Sequence, residues 1–181
     1  AIINLDDDYA ALFMERTGHC KRLTYSMHDS AADIHVLSAT ANDVGQYRAE
    51  ILLQGKPMSV SVPLIGLHNV ENAVAAIAIA SVLGCNGGVI TAGMESVKAV
   101  PGRLCVVEDI TTHRVIVDTY NANSGSMRSA IDVLSEAAEQ TCLVLGGMGE
   151  LGAESNALHR EIGVYAAQKG IKTVYGLGEQ A

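Results

Sequence analysis

The stretch CLVLGGMGELG, which runs from Cys142 to Gly152, decides the fold class of this chain. Its first four residues, Cys142–Leu145, are a short apolar run that predicts a strand buried on both faces of a parallel sheet. A glycine-rich loop follows, and a helical pattern begins at Ser155, which we expect to cap the helix. Lys169-Gly170 is a typical helix end, and a further strand is expected over Thr173–Tyr175. Strand, loop, helix and strand in this order predict a right-handed α/β unit.

The same alternation of strands and helices continues upstream of this stretch. Strands are expected over Leu104–Val107 and Arg114–Asp118, followed by a helix. That helix presents one apolar face, formed by Met127, Ala130, Ile131, Leu134 and Ala137. Pro101-Gly102 interrupts the pattern, so we place a domain boundary near Val100. Residues 101–181 then form an α/β domain that stops before a sheet of ordinary width is complete.

The preceding 100 residues have the pattern of a small antiparallel sheet. Short apolar stretches occur at Ile34–Leu37, Tyr47–Leu53 and Met58–Val62, and the last alternates strictly with serine. The segment from Gln54 to Pro57 is a plausible hairpin connection. We expect one face of this sheet to be buried and the other to contact water.

Two helices are expected after the sheet. Asn69 is a good N-cap, and the segment from there to Leu83 is apolar on nearly every side, which predicts deep burial. Gly84 is placed to end that helix. A second helix is expected over Val89–Val97.

Composition excludes several classes of protein. The chain has 181 residues, with 12 Lys and Arg against 20 Asp and Glu, so it lacks the basic surface of a nucleic-acid-binding protein. Its longest apolar run, 73–84, is shorter than the roughly 20 residues that span a bilayer, and no leader pattern is present. We interpret the four scattered cysteines as reduced thiols, mostly in the core, which predicts a cytoplasmic protein. Because the chain opens without Met and closes just after a strand pattern, we expect a piece of something longer.

The glycines after Leu145 allow two interpretations. Gly147 to Gly152 matches G-x-G-x-x-G directly after a strand, which is typical of a dinucleotide-binding turn. However, the helix is expected only from Ser155, and Glu179 lies too far along to bind a ribose. A flexible loop on the substrate side of the sheet is the favoured alternative.

Three other stretches carry candidate binding residues. The segment DTYNAN (118–123) leaves the end of a strand, where it forms either an Asx turn with an N-cap at Asn123 or Ser124, or a ligand-facing cluster. Arg103 is either a solvated charge or a phosphate ligand. Asn72 should be buried or half-buried, where its amide reads an adenine edge or ties down a loop. The six histidines lack metal-ligand spacing, and no Walker-type phosphate loop is present.

Three motifs in order resemble those of the Mur ligases, the ATP-dependent amide-bond-forming enzymes of bacterial peptidoglycan synthesis. They are GLHNVENA (66–73), VPGR (100–103) and DTYNAN (118–123), similar to the family's H-N-x-x-N-A, P-G-R and D-[ST]-Y-N-A-N elements. The resemblance covers essentially the whole chain. It implies that residues 1–100 are the end of a central ATPase domain and 101–181 the start of a Rossmann-like C-terminal domain.

Within that family, GMGELGAES (147–155) followed by His159 is similar to the type that adds D-alanyl-D-alanine. The implied reaction joins this dipeptide to UDP-N-acetylmuramoyl-tripeptide through an acyl phosphate, with ATP and Mg²⁺. The resemblance implies that Asn69 and Asn72 contact adenine, and that Arg103 and Asp118 hold ribose and phosphate. It places Tyr120, Asn121, Asn123, Glu150 and His159 near the substrates.

The chain departs from the family pattern in two places. Gly147 stands where an acidic residue is usual, and Val117-Asp118 replaces a double Asp. The resemblance implies that the phosphate loop and the Mg²⁺ ligands lie upstream of residue 1, so we expect this chain to be inactive alone. The complete enzyme is expected to be a cytoplasmic bacterial monomer. The alternatives are a ligase like folylpolyglutamate synthase and a non-catalytic nucleotide-binding module.

Overall fold

The computed structural model of the chain describes residues 1–107, 113–137 and 140–178. The chain separates into two compact units. The first comprises Ala1–Asn42 and Gln46–Lys98, and the second comprises Asp43–Gly45 and Ala99–Ala181.

The first unit is a five-stranded mixed sheet with helices. In chain order its elements are β1 (Ile2–Asn4), α1 (Ala10–Arg16), β2 (Leu23–Ser26), β3 (Ile34–Ala41), β4 (Gln46–Leu53), β5 (Lys56–Ile65), α2 (His68–Val82) and α3 (Gly87–Glu95). The strands lie side by side in chain order. Strands β3, β4 and β5 pair antiparallel, as predicted, but β1, β2 and β3 pair parallel. No strand was predicted over β1 or β2, because both are too short to show a hydrophobic period.

The core of this unit lies between the sheet and α2. Alternate residues of the strands point inward, so that Ile51 of β4 and Val60 and Val62 of β5 are buried. They pack with Val74 and Ile77 of α2 in one apolar cluster. The helix therefore covers the face of the sheet that the alternation predicted to be buried.

Helix α2 is buried on one side only, which corrects the expectation of deep burial. Its core-facing residues are Val70, Ala73, Val74, Ile77 and Ala78, whereas Leu83 at its end is 76% exposed. The expected N-cap was also wrong, because Leu67 occupies the cap position and Asn69 lies in the first turn. Gly84, with φ +85°, ends the helix as predicted. Helix α3 begins two residues before the prediction, and its cap is Asn86, whose side chain accepts from the Val89 N–H.

The second unit has the predicted order of strands and helices. It contains β6 (Cys105–Val106), β7 (Ile116–Val117), α4 (Ser124–Ala137), β8 (Cys142–Leu145), α5 (Ser155–Gln168) and β9 (Thr173–Gly176). Strands β6 and β7 form a short antiparallel pair, and β8 and β9 pair parallel. Its core residues are Met127, Ile131, Met148, Ile162, Ala166 and Ile171.

Two expectations about burial, one on strand β8 and one on the cysteines of the whole chain, were wrong. Strand β8 is not buried on both faces: Val144 is 58% exposed, because the helices cover only one side of the strand pair. The thiols are free, as predicted, but they are not core residues. Cys20, Cys85 and Cys142 are exposed and Cys105 is half-buried.

The start of α5 also differs from the prediction. A short 3₁₀ helix over Gly152–Glu154 precedes it, so Ser155 is the first helical residue rather than the cap. Gly170, with φ +78°, follows the end of α5 as predicted. No helix within the described ranges is long and apolar enough to cross a membrane.

Candidate functional site

In the second unit, the segment before β6 packs directly against the segment after β7. The Tyr120 N–H donates to the Gly102 carbonyl over 3.0 Å, and the Leu104 N–H donates to Oδ1 of Asp118 over 3.3 Å. Gly102 has φ +78°, and a Cβ there would lie 3.3 Å from the Tyr120 nitrogen. A glycine is therefore required for both the backbone conformation and the close approach.

Arg103 lies on the ring of Tyr120. Its guanidinium carbon is 4.3 Å from the ring centroid, which is cation–π geometry. Both side chains are exposed. Stacking leaves the N–H donors at the edge of the guanidinium available for an anion. The sequence alone left Arg103 open between a solvated charge and a ligand, and the structure shows it exposed and stacked on Tyr120.

The two asparagines after Tyr120 differ in what their side chains do. Asn123 is the N-cap of α4: its Oδ1 accepts from the Ser126 N–H at 2.9 Å, and the Ser126 Oγ accepts from the Asn123 N–H at 3.0 Å. This reciprocal pair has the form of a capping box. Asn121 is exposed, and its Oδ1 accepts from the Ala122 N–H. The capping interpretation therefore accounts for the oxygen of Asn123 but not for Asn121.

The glycine-rich loop after β8 is anchored from behind by His159. The Met148 side chain is buried in the core, and its N–H donates to Nε2 of His159 over 2.8 Å. Nδ1 of the same ring lies 2.7 Å from the Ser155 carbonyl oxygen. Since Nε2 accepts, Nδ1 must carry the proton and donate to Ser155. The imidazole thus ties the loop to the first turn of α5.

Glu150 lies at the exposed tip of this loop. It has φ +62°, which is uncommon for a residue with a side chain. A cavity of about 150 Å³ in this unit is lined by His159 and by residues of α4, α5 and the two strands, including Met127, Leu145 and Val174. His159 thus lines this cavity, whereas Glu150 is exposed to solvent.

In the first unit, Asn69 and Asn72 are joined side chain to side chain. Nδ2 of Asn72 donates to Oδ1 of Asn69 over 3.3 Å, and Nδ2 of Asn69 donates to the Ile65 carbonyl over 2.8 Å. Asn69 is half-buried, but Asn72 is exposed, which corrects the expectation that it would be buried or half-buried. An exposed amide retains a donor and an acceptor that match the edge of a purine base.

Sequence reasoning missed a polar group at the carboxyl end of β1. Asn4 donates through Nδ2 to Oε1 of Glu71, in the first turn of α2, over 2.7 Å. The available signal was the segment Asn4 to Asp7, which places polar residues directly after an apolar run. Tyr25 of β2 lies near the same carboxylates. Burial and the negative charges of Glu71, Asp6 and Asp7 raise the pKa of its phenol, so the Tyr25 hydroxyl stays protonated and neutral.

The structure thus brings together Arg103, Asp118 and Tyr120 in one cluster and Asn69 and Asn72 in another. Within the described residues, no three His, Cys, Asp or Glu side chains come together as a potential metal site.

Comparison with models of known protein families shows to which family the chain belongs. The chain matches the Mur ligase middle domain over residues 1–80 and the glutamate ligase domain of the Mur ligases over residues 102–181. The chain belongs to the Mur ligase family.

The individual relatives that the chain matches narrow the comparison to one kind of ligase within this family. The chain is 38% identical over 183 residues to the UDP-N-acetylmuramoyl-tripeptide–D-alanyl-D-alanine ligase of Escherichia coli K12, covering 100% of this chain and 40% of that one. The Haemophilus influenzae ligase of the same name is 34% identical over 100% of this chain and 38% of its own length. The chain therefore spans about 40% of the length of these two curated relatives.

Solved structures agree with these relatives. The crystal structure of MurF from Acinetobacter baumannii aligns with a TM-score of 0.92 at 29% identity, over 100% of this chain and 39% of the other. A folylpolyglutamate synthase of Mycobacterium tuberculosis aligns with a TM-score of 0.63 at 17% identity, over 92% of this chain and 42% of the other, and so shares the fold alone. The α/β fold class and the family resemblance are both confirmed.

Proposed function

We propose that this chain supplies the end of the central ATP-binding domain and the start of the C-terminal domain of a peptidoglycan ligase. The complete enzyme adds D-alanyl-D-alanine to UDP-N-acetylmuramoyl-tripeptide. The observation that carries the proposal is the packing of Gly102 and Arg103 against Asp118 and Tyr120. Two of the three motifs that resemble the family meet there, on a chain whose relatives bear the name of this ligase. The domain boundary near residue 100 remains part of the proposal.

The proposed reaction proceeds in two steps. The γ-phosphoryl group of ATP is transferred to the terminal carboxylate of the tripeptide, which yields an acyl phosphate and ADP. The amine of D-alanyl-D-alanine then attacks the acyl carbon. The tetrahedral intermediate collapses to the amide, with loss of a proton from nitrogen and departure of phosphate.

The two clusters suit different parts of the nucleotide. The guanidinium of Arg103 can donate to phosphate oxygens in a bidentate manner, and its stacking on Tyr120 fixes the direction of those donors. Asp118 keeps one carboxylate oxygen beyond the bond from Leu104, which can accept from a ribose hydroxyl. Asn72, supported by Asn69, can pair with the adenine edge.

The remaining candidate residues are proposed to act on the dipeptide side. Glu150 presents a carboxylate from the tip of the glycine-rich loop, and Tyr120 and Asn121 are exposed after β7. His159 is proposed to act through the loop that it holds, because both of its ring nitrogens have protein partners. Asn123 is proposed to contribute chiefly by starting α4, since its Oδ1 is the helix cap.

These residues suit ATP, and the described residues bring together no three or more His, Cys, Asp or Glu side chains that could hold Mg²⁺. From the resemblance to the family, we propose that the Mg²⁺ ligands lie in the remainder of the ligase. The sequence of this chain holds no Walker-type loop to stabilise the transferring phosphoryl group. The 181-residue chain alone is accordingly proposed to be inactive, and the complete ligase to act as a cytoplasmic monomer.

The test compares the complete ligase that carries this segment with the 181-residue chain alone. Each is incubated with ATP, Mg²⁺, UDP-N-acetylmuramoyl-tripeptide and D-alanyl-D-alanine, and phosphate release and the amide product are measured. We expect turnover only by the complete ligase. Turnover by the chain alone, or a complete enzyme that accepts a folate and glutamate instead of these substrates, would contradict the proposal.

A further inference from the structure

A continuous set of hydrogen bonds links α2 to the carboxyl ends of β1 and β2. It begins at Glu71, whose Oε1 accepts from Nδ2 of Asn4 at 2.7 Å. Oδ1 of Asn4 in turn accepts from the Asp6 N–H at 3.0 Å. Because both ends of the Asn4 amide are occupied, the orientation of this side chain is fixed.

The set continues from Asp6 into β2. Its carboxylate accepts from the Ser26 hydroxyl at 2.5 Å and from the Met27 N–H at 2.6 Å. Ser26 is fully buried, and its Oγ also accepts from the N–H groups of His28 and Asp29. A buried hydroxyl with every hydrogen-bonding position used is the mark of a rigid network. The network is therefore anchored at the buried end of β2, in the sheet.

Glu71 is the only member of this network that lies on α2, and its position on that helix is informative. It stands between Asn69 and Asn72, the two residues proposed to contact adenine. Asn69 is tied to Ile65 at the end of β5, and Asn72 is tied to Asn69. The first turn of α2 is therefore held from two sides, by β5 through Asn69 and by β1 through Glu71.

We infer that Asn4 and Glu71 are positioning residues for the nucleotide, which hold the first turn of α2 so that Asn69 and Asn72 present their amides to the base. This inference rests on the proposed function. Neither residue contacts the nucleotide in this arrangement; both act through the asparagines. Residues 67 positions apart in the chain thereby contribute to one binding surface.

The test uses the complete ligase and exchanges the donor and the acceptor of the hydrogen bond between Asn4 and Glu71. Asn4→Asp places a carboxylate against Glu71 and removes the donor, so we expect the KM for ATP to rise roughly threefold to tenfold. Glu71→Gln keeps an acceptor oxygen and should change the KM little. The double variant Asn4→Asp with Glu71→Gln restores a donor and acceptor pair with the direction reversed, so we expect it to recover most of the affinity for ATP.

Three readouts separate positioning from general destabilisation. For Asn4→Asp, kcat and the KM for D-alanyl-D-alanine should stay within about twofold of the parent while the KM for ATP rises. Glu95→Ala, which removes an exposed acid from α3, is the matched control and should leave all three constants unchanged. Thermal unfolding of each variant is measured alongside, and Glu71→Ala serves as a second way to break the bond if Asn4→Asp does not fold.

The inference is overturned if the double variant is no better than Asn4→Asp, or if the variants lose kcat with an unchanged KM for ATP. Asn69→Ala and Asn72→Ala distinguish this failure from that of the proposed function. If these two leave the KM for ATP unchanged, the adenine assignment itself is wrong. If they raise it and the Asn4 and Glu71 variants do not, only the positioning inference fails.

Discussion

The guanidinium carbon of Arg103 lies 4.3 Å from the centroid of the Tyr120 ring. The two residues come from segments on either side of the β6–β7 pair, and the hydrogen bond from the Tyr120 N–H to the Gly102 carbonyl joins the segments. An arginine on a flexible stem loses side-chain entropy when it binds an anion. Stacking on Tyr120 would reduce that loss for the phosphate that we propose Arg103 binds, which is preorganisation.

Replacing the ring of Tyr120 should therefore weaken nucleotide binding by the complete ligase. An exposed cation–π contact is worth about 0.5–1 kcal/mol, so we expect Tyr120→Ala to raise the KM for ATP about twofold to fivefold. Tyr120→Phe keeps the ring and is the matched control, with an expected KM close to that of the parent. Equal losses in the two variants would show that the hydroxyl, and not the stacked ring, is what matters.

Gly102→Ala should destabilise the second unit. Its φ of +78° and the 3.3 Å approach to the Tyr120 nitrogen both oppose a Cβ. A left-handed conformation costs a residue with a side chain about 1–2 kcal/mol, so the free energy of unfolding should fall by at least that amount. Urea unfolding followed by circular dichroism measures the change.

Gly163→Ala is the control for the Gly102→Ala experiment, because we expect it to raise the free energy of unfolding rather than lower it. Gly163 lies within α5, and a Cβ there would meet nothing within 4 Å. Alanine is favoured over glycine inside a helix by about 1 kcal/mol, so this variant should be more stable than the parent. Destabilisation of both variants to the same degree would argue against a special role for the backbone at Gly102.

Periodic segments could be predicted from the sequence, whereas contacts between distant residues could not. The alternation in β5 and the apolar face of α4 are visible within about ten residues, and both elements lie where they were expected. Cap positions were less predictable: Asn69 and Ser155 have the right chemistry for caps, but each lies inside its helix, which begins earlier in the chain. The bond from Asn4 to Glu71 and the bond from Met148 to His159 depend on how the chain folds back, which no local pattern encodes.

The contact between α4 and α5 should depend on pH. Nζ of Lys169 lies 2.6 Å from Oδ1 of Asp132, and the Tyr165 hydroxyl donates to the same oxygen. Burial acts to raise the pKa of Asp132, but the hydrogen bonds from Lys169 and Tyr165 outweigh it, so the pKa lies below its ordinary value of 3.8. The hydrogen bonds to Asp132 and Tyr165 raise the pKa of Lys169 above its ordinary 10.5.

The sign of each shift defines the pH range over which this pair stabilises the unit. The stability that Asp132 contributes is fully present above pH 3.8 and is lost as the pH falls through its lowered pKa. The stability that Lys169 contributes is fully present below pH 10.5 and is lost as the pH rises through its raised pKa. Asp132→Asn should therefore cost about 0.2–1 kcal/mol of unfolding free energy near neutral pH, since both side chains are partly exposed. The cost should shrink towards acid pH. Asp8→Asn, at an exposed position, is the control, and a cost for Asp132→Asn that did not vary with pH would contradict this account.

His159 should determine how firmly the glycine-rich loop is held. Its Nε2 accepts from the Met148 N–H over 2.8 Å, and the Met148 side chain is buried in the core of the unit. His159→Leu removes the acceptor and leaves this N–H without its partner, at a cost of about 1–3 kcal/mol. We expect faster hydrogen exchange of the Met148 amide and, in the complete ligase, a higher KM for D-alanyl-D-alanine with a KM for ATP close to that of the parent.

His159→Gln separates the role of the loop anchor from that of a ligand. A glutamine side chain can place an amide oxygen near the position of Nε2 and so accept from the Met148 N–H, but it does not reproduce the imidazole. If His159 acts only by holding the loop, this variant should restore slow exchange at Met148 and most of the affinity for the dipeptide. If slow exchange returns while the KM for D-alanyl-D-alanine stays high, the imidazole itself contacts the substrate. Holding the loop would then not be the main role of His159.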